Sequence, residues 1–461
     1  MPHPHPVTIT TPTPSPQDQR TDHPQRYALH HEIHARPPIA LWSNERVISQ
    51  AFVLDPISRR QQTSWIERAT QGFPMHHGSP HNTAIRVLEL APAPSRLLLK
   101  WELHGEFVAI TLFSQQPGAG SFMSREEVLQ RAGALLEKAN AQGLHELTGQ
   151  RLVALDIVLE QAAPYPDAYE VAKRFDGNTV VGALITSNQN AQLWTDLQFD
   201  DSGFIRMIVR GENLGSRQAG RAVQRLIDIE TYRMMALLAL PCAKALAEPL
   251  RNAERELAVV SEKIANAQKQ ETIDLHVDAQ LLGDVSALAA RVEGWISANG
   301  LRFTAAEAYY ELVKRSLIET HETVIPGVQM LNTFMDRRFE PAMRTCRWTV
   351  RRLRDLSDRI SRTTQILKTR IEFVNESQQQ ALLSSMDRRA KLQLRLQQTV
   401  EGLSIIVMTY YATGLLQYLT KGLKGVGVGI DPDIVALISV PVIAIGLYAF
   451  LSARRKKQPP I

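Results

Sequence analysis

The chain has 461 residues, room for two or three domains, and a formal net charge of +5 at pH 7. Its charged fraction of 21% and slightly negative mean hydropathy exclude a protein embedded in lipid over most of its length. Two cysteines, Cys242 and Cys346, exclude a disulfide framework and fit a reducing compartment.

Residues 1–25 are rich in Pro, Thr, His and Gln and lack an apolar core, so they read as a disordered tail with no secretory signal. Residues 26–211 read as a mixed α/β domain. Leu97–His104 and Glu106–Phe113, joined at Gly105, form a hairpin candidate with aromatic residues on both arms. Ser124–Ala141 has helical periodicity and begins Ser-Arg-Glu-Glu, which resembles a capping box. Arg151–Glu160 and Thr179–Ser187 read as strands. Ala191–Phe199 and Phe204–Gly211 form a second hairpin turning at Asp200-Asp-Ser-Gly203. The sheet is expected to be mostly antiparallel, with helices packed on it.

Residues 212–340 read as a helical domain. Gln218–Glu248 contains an apolar run at Met234–Ala243 that is too short to cross a bilayer and suits a buried helix, bent at Pro241 and ended by Pro249. Helical patterns follow over Ala253–Lys269, Asp278–Ala298 and Thr304–Thr323, and Pro326-Gly327 then breaks the chain. After Pro341 neither proline nor glycine occurs before Gly402, so residues 341–401 are expected to form one long stalk helix. Leu353, Ile360, Leu367, Val374 and Ala381 recur every seven residues, with Val350 and Ile371 on the companion position. Ser357, Thr364 and Gln378 dilute the seam, so it predicts helix pairing with a partly polar core. Between Ala342 and Val400 there are 13 Lys and Arg against 5 Asp and Glu, a surplus that exceeds the charge of the whole chain. Continued to Thr420, the helix would be about 120 Å long at about 1.5 Å per residue.

Gly402–Thr420 and Ile434–Ala453 are uncharged apolar segments long enough to span a bilayer core. Arg388, Arg389, Lys391 and Arg395 precede the first, and Arg454, Arg455, Lys456 and Lys457 follow the second in the basic tail 454–461. The connecting loop, 421–433, carries Lys421 and Lys424 against Asp431 and Asp433. That asymmetry puts both ends in the cytoplasm, and the segments 402–420 and 434–453 make a transmembrane hairpin, with Pro441 kinking the second helix. Thr409, Thr413, Gln417 and Thr420 fall on one face of the first span. A polar stripe of that kind faces another helix or lines a pore, and interhelical hydrogen bonding is the commoner use. The bilayer is the expected partner: the basic residues nearest it suit topology and anionic headgroups. Nucleic acid is disfavoured, because no aromatic-interleaved binding motif accompanies the charge.

The chemistry-bearing motifs are sparse. No Walker loop, Gly-x-Gly-x-x-Gly or Gly-x-Ser-x-Gly occurs, so no enzyme is expected. His31-Glu32-x-His34 is one residue short of the zinc-protease spacing; His30 and His34 have that spacing but leave Glu32 displaced. Met75-His-His-Gly-Ser-Pro-His81 offers further imidazoles. A divalent metal at His30, His31 and His34 is the weaker reading beside a structural or interface role, and no other cofactor is expected.

Three segments resemble a bacterial family of membrane-anchored proteins, domain of unknown function 3422. They are Leu29-His-His-Glu-Ile-His-Ala-Arg-Pro-Pro38, Leu226-Ile-Asp-Ile-Glu-Thr-Tyr-Arg-Met-Met-Ala-Leu-Leu-Ala-Leu-Pro241 and Asp387-Arg-Arg-Ala-Lys-Leu-Gln-Leu-Arg-Leu-Gln-Gln-Thr-Val-Glu-Gly-Leu-Ser404. The resemblance covers about residues 26 to 453 and implies a bacterial inner-membrane protein without an assigned activity. The layout is also similar, at a distance, to CorA-type magnesium channels, pentamers whose pore is lined by the first span. Their Gly-Met-Asn signature is absent, however, and Tyr418-Leu-Thr-Lys-Gly422 stands in its place. The expected whole is an α+β cytoplasmic domain, a helical domain with a long stalk helix, and a C-terminal two-helix transmembrane hairpin. It serves as a membrane-anchored scaffold or sensor that forms homo-oligomers through the stalk and spans. The alternative is a CorA-like oligomeric channel lined by the first span.

Overall fold

The computed structural model describes residues 23, 25–26, 29–30, 38–42, 44–76, 84–116, 122–139, 144, 148–186, 188–268, 275–424 and 431–457. The chain divides into two compact units, the first comprising residues 1–258 and 287–360 and the second 259–286 and 361–461.

The first unit is built on one mixed sheet of eight strands. In chain order they are β1 (Glu45–Val53), β2 (Ile85–Ala91), β3 (Leu97–Leu103), β4 (Phe107–Gln115), β5 (Gln150–Glu160), β6 (Val181–Ile185), β7 (Ala191–Phe199) and β8 (Ile205–Arg210). They lie in the order β2-β3-β4-β1-β5-β8-β7-β6. Every neighbouring pair is antiparallel except β5 with β8. Both expected hairpins are present, and Asp200 closes the second turn by accepting from the backbone of Ser202 and Phe204 at 2.9 Å each.

Alternation along the strands sends Leu97, Leu99 and Trp101 to one face. There they join Ile48, Ile110 and Leu112 against Trp65, Ile66 and Ala69 of α1 (Pro56–Gly72) and Val128, Ala132 and Leu136 of α2 (Arg125–Lys138). The Ser124–Glu127 capping box starts α2 as its sequence predicts. On the opposite face the almost wholly buried Lys100 lies 3.0 Å from Glu102, and its ammonium donates to Gln224 at 3.0 Å. Gln224 belongs to α4 (Ser216–Leu237), which follows the short α3 (Ala168–Ala172) and shares contacts with β5. The start of α4 also receives the segment that follows the His30–Pro38 motif: a Cβ on Gly220 would lie 2.0 Å from the carbonyl oxygen of Ile39, so that approach needs glycine.

Open strand edges invite pairing with other chains, and both edges of this sheet are occupied. Beside β2, the His76 N–H donates to Val87 and Glu89 donates to Pro74. Beside β6, residues Thr320–Gln329 supply four backbone hydrogen bonds to Gly182, Leu184 and Thr186.

The helical region differs from its sequence reading at the prolines. Helix α4 ends at Leu237 and α5 (Ala239–Gln268) begins two residues before Pro241, so the break precedes that proline. In the first turn of a helix a missing N–H costs little. Pro249 does not end the helix but lies inside α5; one lost hydrogen bond is outweighed by burial of Leu246, Leu250, Ala253 and Leu257. The two patterns flanking Gly300 merge into one 45-residue helix, α6 (Leu275–Glu319). Helix α7 runs for 94 residues, Leu331–Lys424, and starts upstream of Pro341, which it carries as an interior residue.

Within the first unit, α7 buries Phe339, Met343, Cys346, Leu353, Leu356 and Ile360. Arg352 grips Glu254 of α5 through two hydrogen bonds of 3.0 and 2.7 Å. Within the second unit Leu367 and Val374 continue the seam, and Arg370 donates to the Ala267 carbonyl at 3.0 Å while lying 2.8 Å from Asp278. Ala381, the last position of the expected seam, is exposed, as is every residue from 375 to 400.

Glu322 sits where the covered β6 edge meets the start of α7, accepting from the Asn332 N–H at 3.0 Å while its second oxygen has no partner. Burial raises its carboxyl above the usual glutamate range, and hydrogen bonds from the Asn332 backbone and the Thr320 side chain offset this only in part. A raised folded-state pKa gives stability that is present at low pH and lost as pH rises through that value. Glu322→Gln removes the charging cost, so its melting temperature relative to wild type should climb between pH 5 and pH 8 in thermal melts of the detergent-solubilised chain. A Gln variant that loses ground over that range contradicts this assignment.

Candidate functional site at the terminal helices

The last part of α7 and α8 (Pro432–Lys457) hold the polar stripe that the sequence singles out, and both lie in the second unit. Thr409, Thr413 and Thr420 are 7–9% exposed, whereas Ile406, Leu415, Leu419, Leu437, Val442 and Ile445 are 63–78% exposed. The usual order for a water-soluble helix is inverted, with hydroxyls inside and aliphatic groups outside.

Within the chain the hydroxyls donate to their own helix. Thr409 donates to the Ile405 carbonyl at 2.7 Å, Thr413 to Thr409 at 2.7 Å, and Thr420 to Leu416 at 2.8 Å, all one turn back on the same helix. This back-bonding satisfies a threonine without a partner helix. It leaves the stripe as small, self-satisfied packing surface. Thr409, Thr413, Gln417 and Lys421 share a groove of about 630 Å3 with Val440 and Ala444 of α8. Gln417 is half-buried on its wall and Lys421 is exposed at its end.

The basic residues before the first apolar segment, Arg388, Arg389, Lys391 and Arg395, are all exposed on α7. Lys391 pairs with Asp387 at 2.6 Å, one turn away, a surface pair worth a few tenths of a kcal/mol, roughly 0.3–0.5. Arg454, Arg455, Lys456 and Lys457 fall within α8, but their side chains lie outside the described residues. His30 is exposed in a helical turn, and His31 and His34 lie outside the described residues. Among the described residues no group of three His, Cys, Asp or Glu is placed to hold a metal.

The first unit contains two clusters that sequence reading misses. At the β3–β4 turn, His104 stacks on Phe107 with centroids 4.1 Å apart, and Tyr232 of α4 stacks on Tyr309 of α6 at 5.6 Å. Glu106 from the turn takes a two-pronged ion pair from Arg302 of α6. Burial, then the Glu106 carboxylate, push the Tyr309 hydroxyl far above its ordinary pKa. These groups satisfy one another, so the cluster ties the sheet to α6. No local motif announces it, because its members are about 200 residues apart in sequence.

The second cluster is a cleft of about 620 Å3 between α6 and α7, with Phe303, Met343 and Cys346 on its floor and Glu307, Arg347 and Arg351 on its rim. Arg347 donates to Glu340 at 2.7 Å, and Tyr310 also donates to Glu340. Burial alone would raise the Glu340 carboxyl, but the Tyr310 hydroxyl and the Arg347 charge outweigh it and hold the pKa below the usual range. The Cys346 thiol is pushed up to about 11, chiefly by burial. Since only the thiolate is a competent nucleophile, the cleft offers an apolar surface with a charged rim and no activated group.

The chain matches the family described as "Protein of unknown function (DUF3422)" over residues 21–458. It belongs to that family. Among curated proteins and among solved structures, none matches, so the likeness to CorA-type channels rests on layout alone.

The Cys346 environment gives a direct test. At pH 8 in the folded chain, alkylation of Cys346 followed by peptide mass spectrometry should be on the order of a hundredfold slower than for a free thiol of pKa near 8.5. Reaction at the free-thiol rate contradicts a buried, protonated Cys346.

Proposed function

We propose that this protein is a membrane-anchored scaffold or sensor. Its last two helices cross a bacterial inner membrane as a hairpin, with the sheet, the helical region and both termini on the cytoplasmic side. The observation that carries this reading is the apolar surface of α7 and α8. Among the described residues two helices are long and apolar enough to cross a membrane, and their apolar 18-residue windows are only 11% and 0% buried. Each aliphatic side chain left in water forgoes about 1.5–3 kcal/mol of burial, a cost that a lipid core removes. Basic residues before the first segment and after the second, with a loop of balanced charge between them, support the orientation.

One observation favours a channel instead: the groove lined by Thr409, Thr413, Gln417 and Lys421. Two others weigh against it. The threonine hydroxyls are turned inward and bonded to their own helix, and Lys421 at the end of the groove repels divalent cations. The anchor reading uses the stripe for packing, and the partners it implies are the bilayer and further copies of the chain.

Extraction of membranes with alkaline carbonate tests the reading. The full chain should stay with the pellet, a chain ending at Val400 should move to the supernatant, and Thr409→Leu/Thr413→Leu/Gln417→Leu should stay with the pellet. Extraction of the full chain would sink the anchor. Ion flux in proteoliposomes that the triple variant abolishes would replace it with the channel.

A further inference from the structure

Every residue of α7 from 375 to 400 is exposed among the described residues, yet its sequence is patterned for a partner helix. The seam that buries Leu367 and Val374 ends there, and a second seam begins one residue out of step with it. Its positions alternate by four and three: Leu382, Met386, Arg389, Gln393, Leu396, Val400, Leu403, Val407. The six apolar members are exposed at 62%, 58%, 68%, 56%, 61% and 45% in that order. A chain continuing the same helix through a new, exposed heptad seam presents a surface patterned for a second helix.

The residues flanking the seam identify that second helix. In a coiled coil the e and g positions face their counterparts on the partner, and like charges there drive identical chains apart. Here those positions are Leu383, Ser385, Ala390, Leu392, Gln397, Thr399, Ser404 and Ile406, all uncharged. Asp387, Arg388, Lys391, Arg395 and Glu401 occupy the outer b, c and f positions. A helix built to meet an acidic or basic partner would carry charge beside its seam; this one removes it and so suits a copy of itself. Leu396 and Leu403 at d with Val400 and Val407 at a are the combination that favours two parallel strands. Arg389 and Gln393 are long enough for their polar ends to reach water from a two-stranded core, which a five-stranded core would enclose.

We infer that residues 382–407 of α7 form a parallel two-stranded coiled coil with a second copy of this chain, joining two molecules along the end of the stalk and into the first turns of the span 402–420. The inference rests on the anchor reading, since insertion in the same membrane is what sets the strands parallel, and it fixes the number of subunits at two.

Disulfide trapping in native membranes tests it, with Cys242→Ser/Cys346→Ser as background. Single cysteines at core positions, Leu396→Cys and Val400→Cys, bring sulfur atoms within the Cα separation a disulfide tolerates, about 4.4–6.8 Å. Outer positions, Lys391→Cys and Arg395→Cys, do not. All four residues are exposed within the monomer, so the substitutions spare its core. Mild oxidation should give dimer from the core variants at least tenfold more readily than from the outer ones. Light scattering of the unmodified chain in detergent should give the mass of two copies. Equal trapping at all four positions, no trapping in protein that is still membrane-bound, or a pentameric mass each overturns the inference. Protein that is absent from the membrane fraction overturns the anchor reading beneath it.

Discussion

The structure depends on where apolar surface can go. Helix α7 begins in a conventional core, with Phe339, Met343 and Leu353 buried, and ends with Leu415, Tyr418 and Leu419 facing outward at 65–79% exposure. No change of backbone marks the transition, because the helix is continuous over all 94 residues. The change is in what surrounds it. Its apolar stripe is covered first by helices of its own chain, and the proposed dimer and bilayer take up the remainder.

The first unit meets the same constraint internally. Its sheet is covered on one face by α1 and α2, and its two edges are taken up by short segments from elsewhere in the chain. Charge that enters this interior is paired. Lys100 meets Glu102 and Gln224, and Arg46 donates to both oxygens of the buried Asp156 at 2.7 and 3.0 Å. Breaking one partner of such a pair costs about 3–5 kcal/mol, so these contacts hold the register of the sheet while adding little net stability.

Much of this was legible in the residues. Both hairpins, the capping box at Ser124 and the long helix follow from local patterns that tertiary packing leaves alone. Strand β1 was not legible: it sits between β4 and β5, buried on both faces, so Glu45–Val53 lacks the alternation that betrays a half-exposed strand. Pro249 misled because a proline ends an isolated helix more surely than one held by buried leucines on either side. The spacing of Thr409, Thr413 and Thr420 puts them on one face, but the back-bonding of their hydroxyls has no sequence signal, since a hydroxyl chooses between its own helix and a neighbouring one by packing distance. The Glu106–Arg302 pair joins residues 196 apart, and no single-sequence pattern carries that information.

The central claim is that α7 and α8 cross a membrane once each, leaving the loop 421–433 outside and the rest of the chain on the cytoplasmic side. Labelling of intact cells with a membrane-impermeant maleimide tests it most directly, using Cys242→Ser/Cys346→Ser chains with one new cysteine at Gly427, Lys391 or Lys456. The account predicts labelling at position 427 from outside, with positions 391 and 456 reacting only after the membrane is opened. Labelling of position 391 or 456 in intact cells, or protection of position 427 until lysis, would contradict it.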